Sequence, residues 1–296
     1  MSHEIHDEDL LRIQELEDRQ RQLEADRETR DLEDELAAET AYLSMRLGDR
    51  FARAGNLRRA IAQYKRAVKM DGGSALYRTR LGDAYLASEQ FDAALKQYEL
   101  AAHTDPTDAE PHASLGDLYR AAGRLSQAVA AYGTAVMLAP ERAYYQYLLG
   151  HAHRLNGQLS EADLHLRRAV ELAPEDAFYR FRLSELSSLD GRLDDARREM
   201  EQAVNLAGYD DYYRVRLAGL YMASGRPDAA VAELREALEL SPSNRIYLAL
   251  LAAVLEHLGQ GRAADQCRRW AGTLNEYEED YLRRRQLEWQ PAARSS

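Results

Sequence analysis

The sequence predicts an all-α protein built from seven copies of one helix hairpin, and three observations lead there. The tripeptide LGD stands at 47–49, 81–83 and 115–117, and LGH at 149–151, each 34 residues after the last. A 34-residue frame that starts at Ala41 has leucine at position 7 and alanine at positions 20 and 27 in every copy, from Leu47, Ala60 and Ala67 to Leu251, Ala264 and Ala271. Small residues recurring at a fixed period mark stacked units whose helices approach closely. Within each copy the apolar residues keep helical spacing, as in Leu81 and Tyr85, then Ala94, Tyr98 and Ala101.

The elements follow in chain order. Residues 5–40 contain no Pro or Gly and are rich in Glu, Arg, Leu and Gln, which predicts one continuous helix. Ile13, Leu16, Gln20, Leu23, Arg27 and Arg30 follow heptad spacing, but the seam loses its apolar residues after Leu23. A solvated charged helix is therefore expected over 1–40, with dimerisation or partner docking as the alternatives. Residues 41–278 divide into repeats at 41–74, 75–108, 109–142, 143–176, 177–210, 211–244 and 245–278. Position 8 is small throughout: Gly48, Gly82, Gly116, Gly150, Ser184, Ala218 and Ala252. Glycine at position 15 in six copies ends the first helix and allows the reversal. Pro106, Pro140, Pro174 and Pro242 at position 32, with Gly72 and Gly208 in two other copies, close the second helix. Residues 279–296 are expected to form a capping helix and tail. Asn275 is its predicted N-cap, with acidic residues in the first turn and arginines later, the order that a helix dipole favours.

These positions closely resemble the tetratricopeptide repeat (TPR) family, and the match covers residues 41–278. Two features depart from its pattern. The family's frequent aromatic at position 4 is replaced by Ser44, Arg78, His112, Gln146, Arg180, Arg214 and Leu248, as in bacterial members; the seventh copy is degenerate, with Gly261 and Arg268. The resemblance implies an α-solenoid, a right-handed superhelix whose concave groove is lined by first-helix positions 2, 5, 9, 12 and 13. It implies a scaffold or adaptor that binds a protein segment there. Position 9 carries Asp49, Asp83 and Asp117, then His151 and Glu185. Position 2 carries Tyr42, Tyr144, Phe178 and Tyr212, and position 5 carries Tyr147 and Phe181. An acidic half would thus precede an aromatic half, and the expected partner offers basic and apolar anchor residues. The three aspartates have a plainer reading as a polar surface position. Tyr145, Tyr179 and Tyr213 at position 3 are expected to pack between repeats. The Lys and Asn that hold a terminal carboxylate in chaperone-binding members are absent at positions 5 and 9.

Composition narrows the remaining classes. Of the formal charge of −11, residues 1–40 supply 15 acidic against 5 basic side chains, leaving the repeats almost neutral. No basic face is present for phosphate neutralisation, so no nucleic-acid role is expected. The single cysteine, Cys267, excludes an internal disulfide. No signal peptide is recognisable and the longest apolar run, 246–255, is too short to span a bilayer, so a cytoplasmic location without membrane insertion is expected. His151 and His153 point to different faces of one helix, which argues against a shared metal, and His153 is expected in the core. Trp289 is read as part of the cap or as an exposed anchor. No catalytic motif, cofactor loop or metal signature is found. The expected function is a non-catalytic adaptor; the alternative is a self-assembling subunit, with a homo-oligomer among its forms, that docks through the N-terminal helix or the C-terminal end.

Overall fold

The computed structural model describes residues 34–289, and among them every regular element is a helix. Most of the helix predicted over 5–40 lies outside the described residues, but 34–40 are helical and run unbroken into the first repeat. In repeat order the helices are α1 (34–53) and α2 (Leu57–Met70), α3 (Ala75–Ala87) and α4 (Phe91–Thr104), α5 (Glu110–Ala121) and α6 (Leu125–Leu138), α7 (Ala143–Leu155) and α8 (Leu159–Leu172). They continue as α9 (Ala177–Leu189) and α10 (Leu193–Leu206), α11 (Asp211–Ala223) and α12 (Pro227–Leu240), α13 (Arg245–His257) and α14 (Gly261–Ala271), then α15 (Glu276–Leu287). The α-solenoid forms two compact units, one up to Ala122 and one from Gly123.

In both units the alanines at positions 20 and 27 are buried, from Ala60 and Ala67 at 0% exposure to Ala264 at 0% and Ala271 at 4%. They let paired helices approach, and larger side chains fill the space between. In the first unit these are Met45, Tyr64, Tyr77, Leu81 and Tyr98. In the second, one cluster surrounds Leu166, Leu183 and Leu186, another Phe181, Met200 and Leu217, and a third Leu234, Leu250 and Val254.

The turns obey the predicted chemistry. Gly157 has φ +78°, and the following N–H of Gln158 reaches back to the His153 carbonyl at 2.9 Å, a helix stop that needs a left-handed residue. The second copy makes the same reversal with Glu89, the one non-glycine residue at positive φ among those described. Position 4, where the family's aromatic is missing, has gained a polar task. Arg78, Gln146, Arg180 and Arg214 each donate to the carbonyl six residues earlier, in the turn that precedes their repeat. Arg180 and Arg214 also reach Glu199 and Glu233 at 3.2 and 3.0 Å. Hydrogen bonds to the turn replace ring packing.

At the C-terminal end, Gly272 with φ +67° stops α14 early. α15 therefore begins inside the span assigned to the seventh repeat. Asn275 caps it as predicted, in a capping box with Glu278. Arg245 fastens its start, donating to the Ala271 carbonyl at 2.8 Å and pairing with Glu278 at 3.4 Å.

Candidate functional site

In the first unit, Tyr64 Oη donates to Asp49 Oδ1 at 2.8 Å and Tyr98 Oη donates to Asp83 Oδ1 at 2.9 Å. The donor stands at position 24 of the second helix and the acceptor at position 9 of the first. A Cβ at Gly48 or Gly82 would lie 2.6 or 2.5 Å from the same tyrosine ring, so the glycine at position 8 admits the ring whose hydroxyl the next residue receives. Burial pushes the Asp83 carboxyl above the usual range, opposed by the Tyr98 hydroxyl and by Arg80. Asp49 and Asp83 line one cleft, but Arg53 and Arg80 stand in its wall. Asp117 pairs with Arg120 at 2.8 Å. The aspartates are thus hydrogen-bonded and charge-compensated rather than a bare acidic row. Exposed Tyr42 belongs to this unit too, with the Arg46 guanidinium over its ring.

The change from LGD to LGH follows from the same pairing. In the fourth copy position 24 is Leu166, which has no hydroxyl to offer, and Gly150 now meets Leu166 Cγ at 3.0 Å for an added Cβ. His151 stacks on Tyr147 instead, with ring centroids 5.8 Å apart. His153 is satisfied by Gln158 Oε1 at 2.9 Å and stacks on His165.

The second unit gathers the predicted aromatics. Tyr144 is 51% exposed, and Tyr147 packs edge-on against Phe178 at 4.9 Å between centroids. Tyr212 is half-buried against Phe181. Phe181, expected on the open face, is buried at 6% between Tyr212 and Tyr213, because the neighbouring repeat covers position 5 there. Tyr145 and Tyr179 are buried as expected, and Tyr213 partly so.

Sequence reasoning missed the arginines that interleave with these rings. The Arg182 guanidinium lies 4.9 Å from the Phe178 ring centre and 5.3 Å from that of Phe181, and Arg216 lies 5.9 Å from the latter. Glu185 joins the two arginines, at 2.9 Å to Arg182 and 3.4 Å to Arg216. The signal was present in RFRL at 180–183 and RVRL at 214–217, with Arg182 and Glu185 at the i,i+3 spacing of a helical pair. Position 9 changes again in the last two copies, to Gly219 and Ala253. Trp289 packs there. Its indole would lie 3.7 Å from a Cβ at Gly219, and it joins the last core cluster rather than standing free. Glu288 pairs with Arg216 at 3.3 Å, and burial pushes its carboxyl up.

Among the described residues no helix is long and apolar enough to cross a membrane. A comparison with curated proteins finds no match. Solved structures with a similar fold include a tetratricopeptide repeat protein from Parabacteroides merdae, at 17% identity and TM-score 0.57, covering 84% of this chain and 99% of that one. PilF of Pseudomonas aeruginosa matches at 16% identity and TM-score 0.59, over 76% and 98%. YrrB, described as a TPR protein with an unusual peptide-binding site, matches at 19% and 0.51, over 67% and 97%. At such identities they show the fold alone. Tetratricopeptide repeat family profiles match residues 45–109, 86–152, 143–176 and 187–254, so that with the 34-residue frame and its hairpins the chain belongs to the tetratricopeptide repeat family.

Proposed function

We propose that the protein is a non-catalytic adaptor that holds a segment of a protein partner on the first-helix faces of its repeats. The fold is in general a protein–protein interaction scaffold. The observation that carries the finer reading is the surface of Tyr144, Tyr147, Phe178 and Tyr212 with Arg182 layered over it. Aromatic and arginine side chains offer rigid area, π faces and charge together, the composition of interface anchors. Apolar side chains of the partner would seat on these rings. Basic ones would be drawn to Asp49 and Asp83 in the first unit, although the tyrosine hydroxyls and Arg80 reduce the charge left for them.

A peptide display library panned on the full chain tests this reading. Enriched peptides should carry large apolar residues, and Tyr144→Ala with Phe178→Ala should weaken them by ~1–4 kcal/mol, mainly through faster dissociation. Peptides that bind the double variant as tightly as the parent would remove this surface from the function.

A further inference from the structure

Beside the aromatic surface, α7, α9 and α11 enclose a cleft of about 330 Å³ whose polar wall is made of Arg154, Arg182 and Arg216 against Glu185 and Glu288. Four of these five groups come from the repeats. The fifth, Glu288, is brought by the residues that follow α15. Arg216, only 15% exposed, divides its guanidinium between Glu185 at 3.4 Å and Glu288 at 3.3 Å. Without Glu288 the repeats would leave three arginines facing one carboxylate. Arg154 has no ion pair among the described residues. Next to Glu288, Trp289 packs on the last core cluster and, with Val215, Ala218, Gly219, Leu234 and Leu250, lines a small apolar pit. The two last described residues of the chain therefore fit as a carboxylate on an arginine and an indole at a pit.

The hold of α15 on the repeats is slight. None of its own residues is fully buried: Leu282 packs partly buried on the last core cluster, Glu278 pairs with Arg245 near the start, and Glu288 just past the end pairs with Arg216. A part-buried pair of this kind gains little net of the desolvation of its two charges, so one carboxylate on Arg216 is readily exchanged for another. A segment held by one pair and one indole is exchangeable for another that offers the same two groups.

We infer that the cleft binds an acidic segment of a protein partner, a Glu or Asp followed by a large aromatic, and that Glu288 and Trp289 occupy this place until the partner displaces them. The inference rests on the reading of the first-helix face as a partner site and adds the chemistry of the segment. The charge follows from the wall: a lysine or arginine in place of Glu288 would set a fourth cation among Arg154, Arg182 and Arg216. The aromatic follows from the pit, whose size is set by Gly219 where earlier copies carry Asp, His or Glu.

The test uses the full chain and short synthetic peptides with a Glu-Phe, Lys-Phe or Glu-Ala centre in a neutral framework. In a Trp270→Phe background Trp289 is the only tryptophan, and Trp270 is 64% exposed, so that change leaves the core intact. The Glu-Phe peptide should shift Trp289 emission to the red as the indole enters water, while the Lys-Phe and Glu-Ala peptides should not. A second arm uses Glu288→Gln with Trp289→Ala, checked for an unchanged helical spectrum. Opening the place in advance should tighten the fluorescein-labelled Glu-Phe peptide by roughly ten-fold or more over the parent, because the competent state no longer has to be paid for. Adding Arg154→Ala and Arg182→Ala should abolish that gain. Equal binding of Glu-Phe and Lys-Phe, or no binding of either to the opened chain, overturns the inference. If library peptides still bind through Tyr144 and Phe178 in that case, the adaptor reading stands and only the acidic segment falls; if they ignore those residues, the surface itself is wrongly assigned.

Discussion

Asp49 and Asp83 receive the hydroxyls of Tyr64 and Tyr98, and Gly48 and Gly82 make room for the two rings, so positions 8, 9 and 24 change as a set. Where position 24 becomes Leu166, Met200 or Leu234, position 9 is free to become His151, Glu185 or Gly219, and position 8 drifts to Ser184 and Ala218. The set predicts a rescue. Gly82→Ala alone drives a methyl group to 2.5 Å from the fully buried Tyr98 ring and should destabilise the protein by ~1–3 kcal/mol. Gly82→Ala with Tyr98→Leu copies the pairing of Ala218 with Leu234 and should recover much of the loss. Chemical denaturation of both variants, read as coupling between neighbours, decides it. A double variant no more stable than Gly82→Ala would show that the ring is not the obstacle.

At the scale of elements, the fourth and fifth repeats are joined by Asp163 of α8, which accepts hydrogen bonds at 2.6 Å from both Arg167 and Arg192. Burial on its own would raise this carboxyl, but the two guanidinium hydrogen bonds outweigh it and hold it below the usual carboxylate range. A carboxyl lower in the folded than in the unfolded state contributes stability above its unfolded value and loses it as pH falls through the folded one. Asp163→Asn should therefore lower stability by about 1 kcal/mol at neutral pH, a figure kept small because Arg167 is 46% exposed and Arg192 32%. The gap between variant and parent should narrow as pH falls below the ordinary carboxylate range and through the lowered folded value. Melting curves across this range check it, and a gap constant with pH would remove the ion pair as its cause.

On the largest scale, the hairpins within each unit pack mainly on their sequence neighbours, as α9 does on α8 and α10, and α11 on α10 and α12. Stability in such an array is close to a sum of local and nearest-neighbour contributions, so a defect should fade with distance along the chain. Ala196 is fully buried, and its carbonyl accepts from Ser184 Oγ at 2.6 Å. Ala196→Arg should accelerate amide hydrogen exchange most in α9 to α11 and much less in α13 and α14. Uniform acceleration through the second unit would mean that it unfolds as one block.

What the sequence determined by itself is the repeat. Small residues at positions 8, 20 and 27, leucine at 7 and turn residues at 15 and 32 are local demands of a hairpin, and a period makes them visible in one dimension. The aromatic set Tyr144, Tyr147, Phe178 and Tyr212 was legible for the same reason, since the frame assigns each position its face. Only the tertiary structure decided what those faces meet. That Asp83 serves Tyr98, that Phe181 is covered by Tyr212 and Tyr213, and that Arg216 lies over Phe181 are facts about partners 15 or more residues away on another helix, to which no period points. Least legible of all was the return of Glu288 to Arg216 across 72 residues. Its only trace in the sequence is a glycine at position 219 where a polar side chain had stood, because the space that side chain would have filled belongs to the indole of Trp289.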